Sequence, residues 1–179
     1  FISSVNYTAI DNQAKNIAEA QRRLTNLPDD FQLSLEAIDL FDFIAREQGQ
    51  STWDVLIAHA FLDLMDIPAT LPQLFSLLKP GGLFYFSINF DGATILEPTI
   101  DPVLDAQIEQ LYHQTMDERI TNGRSSGDSR SGRHMCSSLR KAGATILAAG
   151  SSDWVVFAKP DEYPAEGYQA DEAYFLHFI

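Results

Sequence analysis

The chain has 179 residues, a formal net charge of −13, and 45% hydrophobic against 21% charged residues. That balance belongs to an ordinary globular protein, and a uniformly acidic chain repels phosphate backbones, so small or cationic ligands are favoured over nucleic acid. The longest apolar runs fall far short of the ~20 residues of a membrane helix, and no secretory signal is visible. The single Cys136 can form no internal disulfide. A cytoplasmic protein with no membrane partner is expected.

Taken in order, residues 4–10 mix Val5, Tyr7, Thr8 and Ile10 and favour strand. Asp11 ends it, and 12–24 follow a helical period through Ala14, Ile17, Ala18 and Leu24, with Arg22 and Arg23 where the helix dipole favours cations. Pro28-Asp29-Asp30 is a turn. Residues 31–36 read as a second strand, and 39–47 as a helix carrying Leu40, Phe43 and Ile44, closed by Gly49.

Val55 to Ala58 is an unbroken apolar run, as in a parallel strand covered on both faces. Residues 68–78 place Leu71, Leu74, Phe75 and Leu78 on one helical face, with Lys79 at the negative end and Pro80-Gly81-Gly82 as the stop. A strand at 83–90 completes a strand-helix-strand unit. After a loop, 102–120 reads as a long helix with Leu104, Ile108, Leu111, Tyr112, Met116 and Ile120 turned inward. Residues 121–132, rich in Gly and Ser, predict a mobile surface loop. A helix at 133–142 and two strands at 144–149 and 154–158 follow, the short link between the strands forcing them antiparallel. Residues 159–172 read as an exposed connector leading to an apolar end. The order predicts an α/β fold: an open, mostly parallel Rossmann-like sheet, helices on both faces, with a C-terminal antiparallel hairpin. One domain spans 1–159, and 160–179 begin a further segment. The opening on Phe1 and the apolar close suggest a piece of a longer protein.

In such sheets ligands lie beyond the carboxyl ends of the strands, here Asp11 and Asn12, Glu36 and Ala37, Ala58 to Phe61, and Phe90 to Gly92. Two readings stand for Asp11: it accepts hydrogen bonds from ribose hydroxyls, or it caps the helix after it. Metal-binding Cys or His-Glu-x-x-His spacings, a Gly-x-Ser-x-Gly elbow and a phosphate loop are missing from the sequence.

Trp53-Asp54 leading a strand to Ala58-His59-Ala60, then a helix and Leu77-Leu78-Lys79-Pro80-Gly81-Gly82-Leu83, resembles the fourth strand, helix and fifth strand of class I S-adenosylmethionine-dependent methyltransferases. The segment from Leu139 through the two late strands resembles that family's terminal hairpin, and the resemblance covers 4–159. It implies a cofactor, S-adenosylmethionine, whose ribose Asp11 would hold, with Asn12 against the adenine. Glu36, where the family usually has Asp, would meet the adenine amino group, and Ala37 would offer its backbone. Ala58, His59 and Ala60 would border the methionine end. The family's first strand, central in its sheet, carries a Gly-rich loop, and here no glycine precedes Gly49.

Methyl transfer needs in-line positioning more than acid-base groups, so no catalytic residue is assigned. His59 is a candidate base, or a shape and hydrogen-bonding residue. Arg130, Arg133 and His134 gather in an otherwise acidic chain and could hold an acidic group of a small-molecule substrate; the alternative is a solvated loop. His113 and Asp117 share a helix face, which commonly means a surface pair. An NAD-binding oxidoreductase domain and a non-catalytic module that kept the fold are the competing readings.

Overall fold

The computed structural model describes residues 4–50, 52–121, 123–153, 155–159 and 167–178. The chain divides into a unit of residues 1–145 and a smaller one of 146–179.

The larger unit is mixed α/β. Strand β1 (Val5–Asp11), helix α1 (Ala14–Arg23) and strand β2 (Phe31–Ala37) form a crossover unit, its strands parallel in register from Val5↔Phe31 to Asp11↔Ala37. The Tyr7 and Phe31 rings stack across that pair at 6.0 Å. Helix α2 (Leu40–Glu47) starts where Asp39 accepts from the Phe41 amide at 2.7 Å, and it buries Phe43 and Ile44.

Strand β3 (Trp53–His59), helix α3 (Ile67–Phe75) and strand β4 (Leu78–Ser87) repeat the arrangement. Asp66 caps α3 at the Ala69 amide. Between β3 and α3 lies a 3-10 turn, Leu62–Leu64. Leu62, Ile67, Leu71, Leu74 and Leu77 are all buried, Leu62 and Leu71 at 0% exposure. The Phe75, Phe84 and Phe86 rings stack in succession at 4.8 and 4.9 Å, joining α3 to one face of β4.

The strand pairs are joined differently from an open sheet. β1 bonds to β2 and β3 to β4, and among the described residues no ladder joins the two pairs. Coverage on both faces is corrected as well. Val55 and Ile57 lie opposite Leu83 and Tyr85, and these side chains are exposed at 49%, 42%, 51% and 60%. They alternate with the half-buried Leu56, Ala58, Phe84 and Phe86, as on a sheet with one packed face.

Several boundaries also move. Helix α3 ends at Phe75, and Leu78 opens β4 instead of continuing the helical face. Trp53 competes for this segment: its amide donates to the Leu77 carbonyl at 3.2 Å, and Trp53 pairs with Leu78. Lys79 therefore pairs with Asp54 at 2.8 Å. Residues 79–82 form an irregularity opposite Asp54, turned by Gly81 at φ 79°.

Helix α4 runs Pro102–Asp117, short of Ile120, and has no fully buried residue. Leu104, Ile108, Leu111 and Ile120 are 48–64% exposed, so the expected inward face is only half covered, by Tyr112 and Met116. Strands β5 (Ile120–Thr121) and β6 (Arg124–Ser125) form a short antiparallel pair. Helix α5 spans Ser131–Lys141 and begins before the expected Arg133.

In the smaller unit, helix α6 (Ala170–Phe178) occupies part of the expected connector. The Lys159 amide donates to the Gly167 carbonyl. Residues 160–166 and Trp154 lie outside the described residues. The antiparallel hairpin expected at 144–158 is not seen: residues 144–153 and 155–159 carry no strand. Leu147, Val155 and Phe157 are 78%, 66% and 57% exposed, and a lone hairpin without a packed face is marginal in water.

Candidate functional site

The first group of candidate residues lies at the carboxyl ends of β1 and β2, where Asp11 sits opposite Ala37. Asp11 Oδ1 accepts from the Gln13 amide at 2.7 Å, and Oδ2 from Asn16 Nδ2 at 3.0 Å. The carboxylate thus holds the Gln13 backbone amide just before α1 and the Asn16 side chain in its first turn, and each oxygen keeps a further lone pair. Asn12 Oδ1 accepts from Gln13 Nε2 at 3.2 Å. Glu36 takes both arms of Arg46, at 2.5 and 3.3 Å. Arg46 also reaches Glu47 at 2.9 Å and lies 4.8 Å over the Phe43 ring. Its guanidinium is held above its ordinary range first by the Glu36 bond, then by Glu47.

The second group ends β3. His59 Nδ1 meets Ser87 Oγ at 2.9 Å, and the ring stands edge-on to Tyr85 at 5.2 Å. Ala58 pairs with Phe86 one step earlier. Ala60 has φ 49°, a left-handed backbone rarely adopted by a residue with a side chain, and its amide donates to the Ser87 carbonyl at 2.9 Å. Strain of this kind persists where the surroundings over-determine it, and it gathers at binding sites.

The third group is where structure and expectation differ most. Part of the Gly- and Ser-rich stretch is packed against its surroundings instead of lying on the surface. Ser126, Ser129 and Ser131 are 5%, 3% and 0% exposed. A Cβ on Gly127 would stand 2.2 Å from the Met116 carbonyl oxygen, and one on Gly132 would stand 2.5 Å from Asp91 Oδ1. Ser129 donates through its amide and hydroxyl to Asp117, at 2.7 and 3.2 Å. Arg119 Nε donates to the Ser126 carbonyl at 2.8 Å, and Ser131 Oγ to the Phe90 carbonyl at 3.2 Å. These bonds tie the stretch to the end of α4 and to the chain leaving β4. Asp117→Ala, which removes both Ser129 bonds, is expected to cost about 2 kcal/mol of stability, read by urea denaturation. A cost near zero would mean that Gly packing alone holds the loop.

That packing separates the three cationic candidates. Arg133 is a strut: its amide donates to Asp91 Oδ1 at 2.6 Å and its guanidinium reaches the Gly92 carbonyl at 3.4 Å. His134 Nδ1 lies 2.6 Å from Asp128 Oδ2, while Asp128 Oδ1 accepts from the Arg130 amide at 2.8 Å. Arg130 and His134 line a cavity of about 760 Å³ with Gly92, Glu109, His113 and Asp117. A volume of that order suits a small molecule. His113 and Asp117 do not form a surface pair: Asp117 holds Ser129, and the buried His113 Nε2 has no hydrogen-bond partner among the described residues, standing 3.8 Å from Glu109.

Asp128 is a contributor that the sequence did not single out, and Asp117, expected only to pair with His113 on the surface, instead holds Ser129. The available signal was an acid inside a run of small residues, Gly127-Asp128-Ser129, shortly before His134. Among the described residues no three His, Cys, Asp or Glu side chains are grouped to hold a metal ion. Nor is any helix among them long and apolar enough to cross a membrane. Comparison with protein-family models, with curated proteins and with solved structures finds no match.

Proposed function

We propose that the protein is an S-adenosylmethionine-dependent methyltransferase with a small-molecule acceptor, working in the cytoplasm. The observation that carries this reading is the furnishing of the parallel strand ends. An acid ends β1 opposite Ala37, and β3 ends in a histidine followed by a left-handed alanine. Ligands of open α/β sheets lie there. Among the described residues β1 and β3 share no ladder, and the methyltransferase family has a further strand between those that they resemble. On this reading the two pairs are flanks of one open, Rossmann-like sheet. The late hairpin of that family has no counterpart among the described residues, so the reading rests on the strand ends.

When bound, the cofactor supplies a methyl group carried on a sulfonium. The chain's part is to hold it. Asp11, already steadied by Gln13 and Asn16, offers its remaining lone pairs to the ribose hydroxyls, and Asn12 lies against the adenine. Glu36, with its charge balanced by Arg46, meets the adenine amino group, and Ala37 offers its backbone. Ala58, His59 and Ala60 border the methionine end, with Ser87 fixing the His59 ring.

The test is a thermal shift of the full-length protein with S-adenosylmethionine, S-adenosylhomocysteine and NAD. Stabilisation by the two sulfur compounds is expected, and stabilisation by NAD alone would overturn the reading in favour of an oxidoreductase domain. Asp11→Ala is expected to weaken cofactor binding about ten-fold or more, the loss of a charge-assisted pair. Unchanged affinity by calorimetry would reduce Asp11 to the cap of α1.

A further inference from the structure

The cavity between α4 and the 126–134 segment holds two groups whose hydrogen-bonding capacity the fold leaves unused. The first is the far side of His134. A carboxylate only accepts, so at 2.6 Å from Asp128 Oδ2 the His134 Nδ1 is the donor, and in the neutral ring it is Nε2 that carries the lone pair. Asp128 is itself held through its other oxygen by the Arg130 amide. A base oriented by a carboxylate that is in turn oriented is the arrangement that proton abstraction requires. The second is Arg130, one of the residues lining the cavity, whose exposed guanidinium has no ion-pair or hydrogen-bond partner among the described residues.

The remaining walls decide what fits. Glu109 accepts from the Thr94 amide, Asp117 from Ser129, and Glu118 from Gln114. They are hydrogen-bonded yet still negative, and they surround the cavity with His113. A ligand that meets both the guanidinium and this acidic wall carries an anionic and a cationic group together. A negative wall favours an ammonium over a hydroxyl as the group that reaches His134.

We propose that this cavity binds a small amino-carboxylate, its carboxylate on Arg130 and its ammonium at His134, and that His134 Nε2 takes a proton from that ammonium. The step balances simply: one N–H bond breaks, one forms on Nε2, and the amine nitrogen keeps the electron pair as a free nucleophile. Asp128 stabilises the imidazolium that results. The assignment of this amine as the methyl acceptor rests on the reading under Proposed function; the binding and the proton step do not.

The experiment is calorimetry on the full-length protein without cofactor, using the common protein amino acids and β-alanine singly, with acetate and ethylammonium as single-charge controls. At least one amino acid is expected to bind with a Kd below ~1 mM, and both controls about ten-fold more weakly or worse. Arg130→Gln is expected to lose about ten-fold or more in affinity, and Arg130→Lys to recover part of it. Arg130 is exposed, and circular dichroism checks that each variant folds. In 15N NMR the His134 Nε2 resonance is expected to move on adding the amino acid, which a purely structural imidazole would not do. Absence of any amino-carboxylate binding, unchanged affinity in Arg130→Gln, or a stationary His134 resonance would each overturn the proposal. With S-adenosylmethionine added, His134→Gln is expected to lower kcat about 100-fold with KM little changed. Amino acid binding without methyl transfer in the wild type would leave this site standing and remove the methyltransferase reading.

Discussion

Leu71→Ala is expected to lower the unfolding free energy of the larger unit by about 3–4 kcal/mol, followed by far-UV circular dichroism in urea. Leu71 is 0% exposed on α3, which packs against α5, and Leu62, Ile67, Leu74 and Leu77 close to it in sequence are buried as well. Truncation removes the transfer energy of the lost side-chain carbons and leaves a void. Thr70 beside it is 2% exposed, so a small side chain already occupies the neighbouring space and little can collapse inward. The slope of the transition should stay constant. A cost below about 1 kcal/mol would mean that this core is far looser than its burial implies.

Gly127→Ala is expected to cost about 2–3 kcal/mol, an overpacking penalty at a residue with no bulky neighbour in sequence. The added carbon would stand 2.2 Å from the Met116 carbonyl oxygen and 3.1 Å from Arg119 Nη2. The first is backbone at the end of α4 and cannot rotate away. Relief requires the loop to lift, which breaks the Ser129–Asp117 bonds, so the Ser129 amide should lose its protection from hydrogen exchange. Gly150→Ala is the control, since a Cβ there meets nothing within 4 Å and its backbone is not left-handed. Equal costs at the two positions would remove steric closeness as the cause.

The elements of the first half were legible because each carries a periodic apolar signal with a stop residue. Ile17 on α1, Phe43 and Ile44 on α2, and Leu71 and Leu74 on α3 were placed on the faces that bury them. Errors arose where a tertiary partner overrode local preference. Leu78 fits the helical face of α3 by period, but Trp53 draws it into β4. The 126–132 segment was the harder case. Gly and Ser are chosen by mobile loops for freedom and by packed loops for smallness, and composition alone does not separate the two. What decides is the presence of Asp91, Met116 and Asp117 across the packing interface. For the same reason Arg130, Arg133 and His134 read as one cationic group, although the fold turns one into a strut, pairs one with Asp128 and leaves one open. Asp11 and Glu36 were placed at strand ends correctly, but the engagement of Glu36 by Arg46 depends on how α2 returns over β2.

Val55, Ile57, Leu83 and Tyr85 give the β3–β4 pair a wet apolar face, and this has a practical consequence for handling the protein. A folded chain presenting such a patch should brighten anilinonaphthalene sulfonate while its circular dichroism remains native, a combination ordinarily taken as a sign of partial unfolding. Ile57→Thr together with Leu83→Thr is expected to quench that dye signal and raise solubility with little loss of strand content, since threonine is β-branched and suits a pleated surface. Dye fluorescence unchanged in the double variant would assign the signal to a different surface, such as the exposed side of α4. Fluorescent-dye melting curves of the wild type should accordingly start from a high baseline, and ligand screens are better read by light scattering or intrinsic tryptophan emission.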